Sequence, residues 1–343
     1  MDDAVFGDIF NLRRNHRTRR RGRGRANRAR ARAIADAMLA SRAARGRLGV
    51  ANASSRSVDE RVRSAAERRR READEASARA RSRRTRKTIE ALRRVRGFFE
   101  LGGVEAYETI DETQLETFGL GTRETALAEI GVYHGRSFLA LTAMRGSEEK
   151  CIAIDCFAEQ DFNVDESGRG DLDKFTKNAR RFWRGGGESA DDESVDGLPS
   201  FIEIVQGNSV DLLPRDIVGD GGIKVRIFSV DGSHTAEATL SDLRLAEACS
   251  HDHGVIILDD CFNPDWPGCI SGLSQYLAHG GKFVPFCIGH NKVFLSTAED
   301  SATYARAFAP AARKNAELFG HDCVVLKHGW IATFHANDDT RAI

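Results

Sequence analysis

The sequence predicts an α/β domain built on a doubly wound, mostly parallel sheet with an antiparallel edge strand, preceded by a basic arm that is partly disordered and partly helical. Three observations carry that expectation. From residue 126 onward, short apolar runs alternate with helix-length stretches, the pattern of strands covered on both faces by crossover helices. Two of the runs, Val225–Val230 and Val255–Leu258, end in carboxylates, and ligands of open α/β sheets sit beyond the carboxyl ends of the strands. The charge is also divided. Residues 1–100 hold 30 Lys and Arg against 12 Asp and Glu, and the remainder holds 21 against 39, so a net charge of zero conceals a basic arm on an acidic body.

The arm comes first. Asn11–Arg32 is almost entirely Arg, Gly, Ala and Asn, with nothing to bury against its ordering entropy, and is expected to be disordered in isolation. Ala33–Leu48 is a short helical candidate and Gly49–Ser57 a linker. Val58–Phe99 is expected as a long charged helix, rich in Ala, Arg and Glu. Near its end Ile89, Leu92, Val95 and Phe99 recur at helical spacing, an apolar stripe that should dock on the body. The expected division is therefore an arm over 1–57, a helix over 58–99 and a catalytic domain over 100–343. The arm's charge suits nonspecific contact with an anionic partner, either nucleic acid or a membrane surface. No aromatic residue interleaves the Arg run to stack on bases, and a merely solvated tail explains the composition as well.

In the body, strands are expected at Ala126–Ile130, Cys151–Ile154, Phe201–Val205, Val225–Val230 and Val255–Leu258, because each is a short apolar run bounded by polar or Gly-rich turns. Helices are expected at Phe138–Met144, along the face formed by Leu172, Phe175, Ala179 and Phe182, at Val210–Leu213, Thr235–Cys249 and Ile270–Leu277, and near Ala302–Phe319. Lys282–Pro285 and Lys292–Leu295 lie close enough to form a hairpin at an antiparallel edge, with Ile288–Asn291 as its turn. A last strand pair is expected near Cys323–Phe334. Seven cysteines show no CxxC spacing and read as buried apolar groups in a reducing compartment. No apolar run nears the roughly 20 residues of a membrane span. Asp2, Asp3 and Asp8 argue against a secretory signal or a transit peptide, so a cytoplasmic protein is expected, or a nuclear one in a eukaryote, where RRRGRGR would serve as an import signal.

The candidate chemistry lies at the strand ends. E-I-G-V-Y-H-G-R-S, residues 129–137, turns the first strand into a helix; Gly131 permits a sharp turn and close ligand approach, and Ser137 and free amides at the helix start can meet polar groups. Asp155 ends the second strand, where a carboxylate takes ribose hydroxyls. The turn lacks the G-x-G-x-x-G spacing of a pyrophosphate site, which disfavours a nicotinamide dinucleotide. Asp231 and His234 follow the fourth strand; Asp259 and Asp260 end the fifth, ahead of a loop with Trp266 and Pro267. One acid alone would read as a helix cap or a solvated turn. Three acids and a histidine at neighbouring strand ends suit proton removal from a hydroxyl and, with open positions, a hard cation such as Mg²⁺.

The order E-I-G-V-Y-H-G-R-S, A-I-D, Q-G-N-S, V-D-G-S-H with a following S-D-L, V-I-I-L-D-D and P-D-W-P-G resembles class I S-adenosylmethionine-dependent methyltransferases over about residues 120–300. Within them it is similar to the small-molecule O-methyltransferase branch that includes macrolide-sugar and cephalosporin-hydroxylase-like enzymes, and P-F-C-I-G-H-N-K-V-F-L fits the same branch. The resemblance implies a Rossmann-like sheet. It implies that Glu129, Gly131 and Gly135 line the methionine end of S-adenosylmethionine, that Asp155 binds its ribose and that Asn208 and Ser209 lie near the adenine. It further implies Mg²⁺ on Asp231, Asp259 and Asp260, with His234 as base and Asp231 beside it in catalysis. Such relatives often carry Glu-Asp where this chain has Asp259-Asp260. The expected activity is O-methylation of a small molecule or glycan. The alternatives are a nucleic-acid methyltransferase delivered by the arm, which lacks an N-P-P-Y-type motif, and a non-catalytic binding protein on the same fold, monomeric or oligomeric.

Overall fold

The computed structural model describes residues 83–163, 165–184 and 197–327. The expected arm over 1–57, most of the expected helix and the loop over 185–196 lie outside these residues. Of that helix, residues 83–92 are helical (α1), and the chain leaves the helix at residue 93. The stripe does dock: Leu92, Val95 and Phe99 are buried in the main core, with Ile89 packed against it. The helix Gly103–Thr113 (α2) continues into a π-helical turn over Gln114–Phe118.

Five parallel strands form the expected half of the sheet: β1 Thr125–Ile130, β2 Lys150–Asp155, β3 Ile202–Gln206, β4 Lys224–Val230 and β5 Ser250–Asp259. The helices between them are α3 Arg136–Thr142, α4 Leu172–Arg184, α5 Pro214–Val218 and α6 Ala236–Cys249. After them come α7 Pro267–Ala278, β6 Phe283–Gly289, β7 Lys292–Thr297, α8 Ser301–Phe308, β8 Ala312–Leu318 and β9 His321–Leu326. The sheet order is β3-β2-β1-β4-β5-β7-β6-β9-β8. It is a Rossmann-like arrangement whose β7 runs antiparallel to β5 and to β6. The hairpin is as expected, and its tight turn His290–Asn291 has both φ values positive, at 55° and 62°, as a two-residue hairpin turn requires. β7 is an inner strand, however, because β6, β9 and β8 extend the sheet beyond it.

Two elements differ from expectation. The helix expected near Ala302–Phe319 stops at Phe308, since Pro310 removes an amide and starts a short 3₁₀ turn over Ala309–Ala311. Its second half is the edge strand β8, paired with β9; residues 328–334 of the closing pair expected near Cys323–Phe334 lie outside the described residues. The short helix expected at Val210–Leu213 is a 3₁₀ turn at Ser209–Asp211 followed by α5, which Pro214 opens.

Beneath the sheet, β4 carries an arginine in an otherwise apolar strand. Arg226 is fully buried. Its guanidinium reaches Glu149 through Nε at 2.7 Å and Nη2 at 2.9 Å, Gln114 Oε1 at 2.8 Å and the Met144 carbonyl at 2.8 Å, with Asp111 Oδ1 at 3.0 Å. Arg84 of α1 reaches Asp111 and Glu108 from the other side, each at 3.2 Å. A chain of charges thus ties α1 and α2 to the centre of the sheet.

Candidate active site

The strand order reverses at β1, with β2 on one side and β4 on the other, which opens a crevice at the carboxyl edge. There β1 and β4 come together tightly. The Asp231 amide donates to the Ile130 carbonyl at 2.9 Å, and a Cβ on Gly131 would lie 1.7 Å from the Asp231 carbonyl oxygen. Gly131, with φ 81°, is therefore required by the approach of the two strands. The crevice opens into a cavity of about 360 Å³. Gly131, Asp155, Asn208 and Ser209 line one part, and Asp231, His234, Asp259, Asp260 and Trp266 line another.

Asp155 stands at the end of β2 with each carboxylate oxygen on one backbone amide. Oδ2 accepts from Tyr133 at 2.8 Å, and Oδ1 accepts from Phe157 at 2.6 Å. The Val132 amide and the Cys156 thiol also bear on this carboxylate, which lines the cavity. Three expected cofactor residues do not reach the cavity wall. Gly135 forms the left-handed start of α3, with φ 95°, against Phe175. Ser137 is buried with its hydroxyl 3.4 Å from that of Tyr107. Glu129, two residues before Gly131, is fully buried under the floor beside the Ser137 hydroxyl.

Burial pushes the Glu129 carboxyl up to about 8, with Lys292 opposing and the charges of Asp259 and Asp155 adding to it. At neutral pH it is mostly protonated. In the unfolded chain a glutamate titrates near 4.3, so the folded state holds an extra proton between roughly pH 4 and 8. Stability that this group contributes below pH 4 is lost as pH rises through 8. A Glu129→Gln variant lacks this slope, so its urea midpoint is expected to gain on the parent's as pH is raised from 5 to 9. A constant difference across that range would contradict the assignment.

The second part of the cavity gathers ligand-type side chains. Asp231, His234 and Asp260 each offer an atom within 4.8 Å of the others. His234 Nε2 lies 3.1 Å from Asp260 Oδ2 and 3.9 Å from Asp231 Oδ1, and its ring stacks on Trp266 with centroids 4.5 Å apart. Asp260 has φ 58°, unusual for a non-glycine residue, and is held there by the amide groups of Asn263 at 2.8 Å and Asn291 at 2.5 Å. Asp259, expected as a metal ligand, is committed elsewhere. It forms a buried ion pair with Lys292, its register partner on β7, whose ammonium also lies 5.6 Å over the Phe99 ring. That ion pair, more than the short side chain, removes Asp259 from the cluster.

The charge state follows from this crowding. Burial and the nearby charges of Asp259 and Asp260 raise the Asp231 carboxyl well above the carboxylate range. Burial also opposes protonation of His234, but Asp165, Asp260 and Asp231 outweigh it and push the ring up to about 10. His234 is thus an imidazolium in this arrangement. Asp165, absent from the expected set, lies in the loop after β2, and its Oδ2 is 3.1 Å from His234 Nδ1. Asp165, Asn263, Asn291 and Lys292 had no sequence signal beyond their polarity, because only the tertiary register brings them here.

A model of the family described as "Methyltransferase domain" matches residues 128–261, which run from β1 through Asp260. Residues 128–261 are a methyltransferase domain. That segment contains Asp155, Asn208, Asp231, His234 and Asp260. Among solved structures the chain is similar to the O-methyltransferase NovP at 18% identity, covering 59% of this chain and 83% of that one with a TM-score of 0.41. CalS11, a TDP-rhamnose 3'-O-methyltransferase of calicheamicin biosynthesis, is similar at 14% identity, 57% and 79% coverage and 0.39. The SAH-bound methyltransferase PaMTH1 of Podospora anserina is similar at 13%, 66% and 95%, and 0.40. The search of curated proteins returned no match. Among the described residues, no helix is long and apolar enough to cross a membrane.

Proposed function

We propose that the chain methylates a hydroxyl of a small molecule or sugar, bound beside S-adenosylmethionine in the cavity over Asp231, His234 and Asp260. The observation that carries this reading is the convergence of those three side chains on the wall of the same cavity that takes in Asp155 and Asn208. The chemistry supplied by the cofactor is methyl donation from a sulfonium, so the protein has to position and deprotonate the acceptor. Asp155 would hold the ribose hydroxyls and Asn208 and Ser209 the base. Glu129, two residues before Gly131, lies beneath the floor, so a cationic methionine group above Gly131 would sense its carboxyl only through that floor. Trp266 and His234 form a stacked wall for the acceptor.

The hydroxyl proton would pass to His234, with Asp231 as the adjacent carboxylate. His234 must first give up the proton that its three carboxylate neighbours stabilise, and positive charge arriving at Asp231 and Asp260 favours that release. Two adjacent carboxylates fit a divalent cation, and Mg²⁺ held by Asp231 and Asp260 would lower the pKa of the acceptor hydroxyl while His234 Nε2 takes its proton. The basic arm is read as a nonspecific contact with an anionic partner, nucleic acid or a membrane surface, on its charge alone.

The test is release of S-adenosylhomocysteine by the full chain over a panel of sugars, catechols, aliphatic alcohols, amines and RNA. Release above background with a hydroxylated acceptor is expected, reduced about 10²- to 10⁴-fold in His234→Gln. Release with amines or RNA only would replace the reading. Turnover undiminished in excess EDTA would remove the metal from it.

A further inference from the structure

The residue that the proposed chemistry leaves unexplained is Asp165. It comes from the loop that joins β2 to α4, and that loop supplies Phe162, Asn163, Ser167, Gly168 and Gly170 to the cavity wall. Its contacts cross the cavity to the turn between β4 and α6. Asp165 Oδ2 takes three donors there: the Ser233 hydroxyl at 3.2 Å, the His234 backbone amide, and His234 Nδ1 at 3.1 Å. The other carboxylate oxygen accepts from the Ser167 amide at 3.1 Å and so shapes its own loop. Its side chain is 8% exposed. One carboxylate therefore does two things. It fastens one wall of the cavity to the opposite strand end, and it holds the histidine ring by the nitrogen that faces away from Asp260.

We propose that Asp165 is a positioning residue that aligns the His234 ring against Trp266 and closes the β2–α4 loop over the cavity, so that alignment of the histidine and enclosure of the ligand occur together. The proposal rests on His234 as the residue that handles the acceptor proton. A ring held through only one nitrogen rotates about its χ2 torsion, whereas a ring with partners at both nitrogens is confined to one orientation. The backbone bond to His234 matters equally. Asp165 ties the loop carrying Asn163 and Gly168 to the β4 end through Ser233 and His234. Glu166, with φ 55°, supplies the bend that brings Asp165 across. Asp161, exposed in the same loop, has no such role and serves as the control.

The experiment is carried out on the full chain and needs no acceptor. The ring resonances of His234 are identified in a ¹H–¹³C histidine spectrum by their loss in His234→Gln. Stacking at 4.5 Å places them in the ring current of Trp266, so they are shifted upfield in the parent. Asp165→Asn is expected to abolish that upfield shift and to speed dissociation of S-adenosylhomocysteine about tenfold, the loss of a hydrogen bond to a charged group. Asp165→Glu, which keeps the charge, restores part of both, and Asp161→Asn changes neither. His234 resonances that stay in place in Asp165→Asn overturn the alignment, and an unchanged dissociation rate overturns the closure. If the parent binds no S-adenosylhomocysteine, the proposed function fails, yet the histidine spectrum still decides the alignment.

Discussion

Arg226→Ala is expected to destabilise the domain by about 3–5 kcal/mol, the cost of breaking a buried ion pair by removing one partner. The guanidinium is fully buried and its neighbours Asp111 and Glu149 are scarcely more exposed, so alanine leaves two carboxylates in a dry interior with a cavity between them. The attraction lost exceeds what the strand gains from a small apolar side chain. Burial already raises the Asp111 carboxyl, with Arg226 and Arg84 opposing, and loss of Arg226 raises it further. A group raised in the folded state gives up stability as pH increases, so the deficit is largest at neutral pH and narrows as pH falls. Arg226→Lys keeps the charge but not the fork that spans Glu149, Gln114 and Met144, and should fall between the parent and alanine. The check is the urea midpoint at constant m-value. A loss below about 1 kcal/mol would mean that water reaches these carboxylates.

The second large effect falls on cofactor binding. At a ligand concentration of 100 times Kd, binding adds about 2.7 kcal/mol, which for a domain of this size raises Tm by on the order of 5–10 °C. Asp155→Ala removes the acceptors expected to take two ribose hydroxyls, charged hydrogen bonds that together amount to about 10²-fold or more in affinity. At the same S-adenosylhomocysteine concentration the variant is then near its own Kd, and the shift falls to about 1 °C. Asp155 also holds the Tyr133 and Phe157 amides, so the unliganded Tm of the variant is lowered as well. The ligand-induced shift is the quantity that separates the two roles. A full shift in Asp155→Ala would place the ribose elsewhere.

The parallel half of the fold was legible because β1 to β5 are apolar runs with turn chemistry between them, and because Gly131 and Asp155 stand at strand ends where a ligand-binding sheet needs them. β8 was not legible. ARKNAEL is an exposed edge strand with no apolar alternation, and its Ala, Lys and Glu have ordinary helix propensity; pairing with β9 overrides that preference. Within the site, Asp231, His234 and Asp260 could be found because they end or follow apolar strands. Lys292 could not be assigned to Asp259 without the β5–β7 register, since a lysine beginning a strand reads as a solvated edge. Asp165 sits in a loop with Asp161 and Glu166, and nothing in the sequence separates it from them. A buried charge inside an apolar run, as at Arg226, is the signal that deserved a partner before the structure supplied Glu149 and Asp111.

The central claim is that one cavity holds the adenosyl cofactor at Asp155 and the reacting group at Asp231, His234 and Asp260. The most direct measurement is a crystal structure of the full chain with S-adenosylhomocysteine. The account predicts ribose hydroxyls on the Asp155 carboxylate, and the sulfur on the side of the cavity that faces His234. Ribose bound away from Asp155, or sulfur turned away from the Asp231–His234–Asp260 cluster, would contradict it.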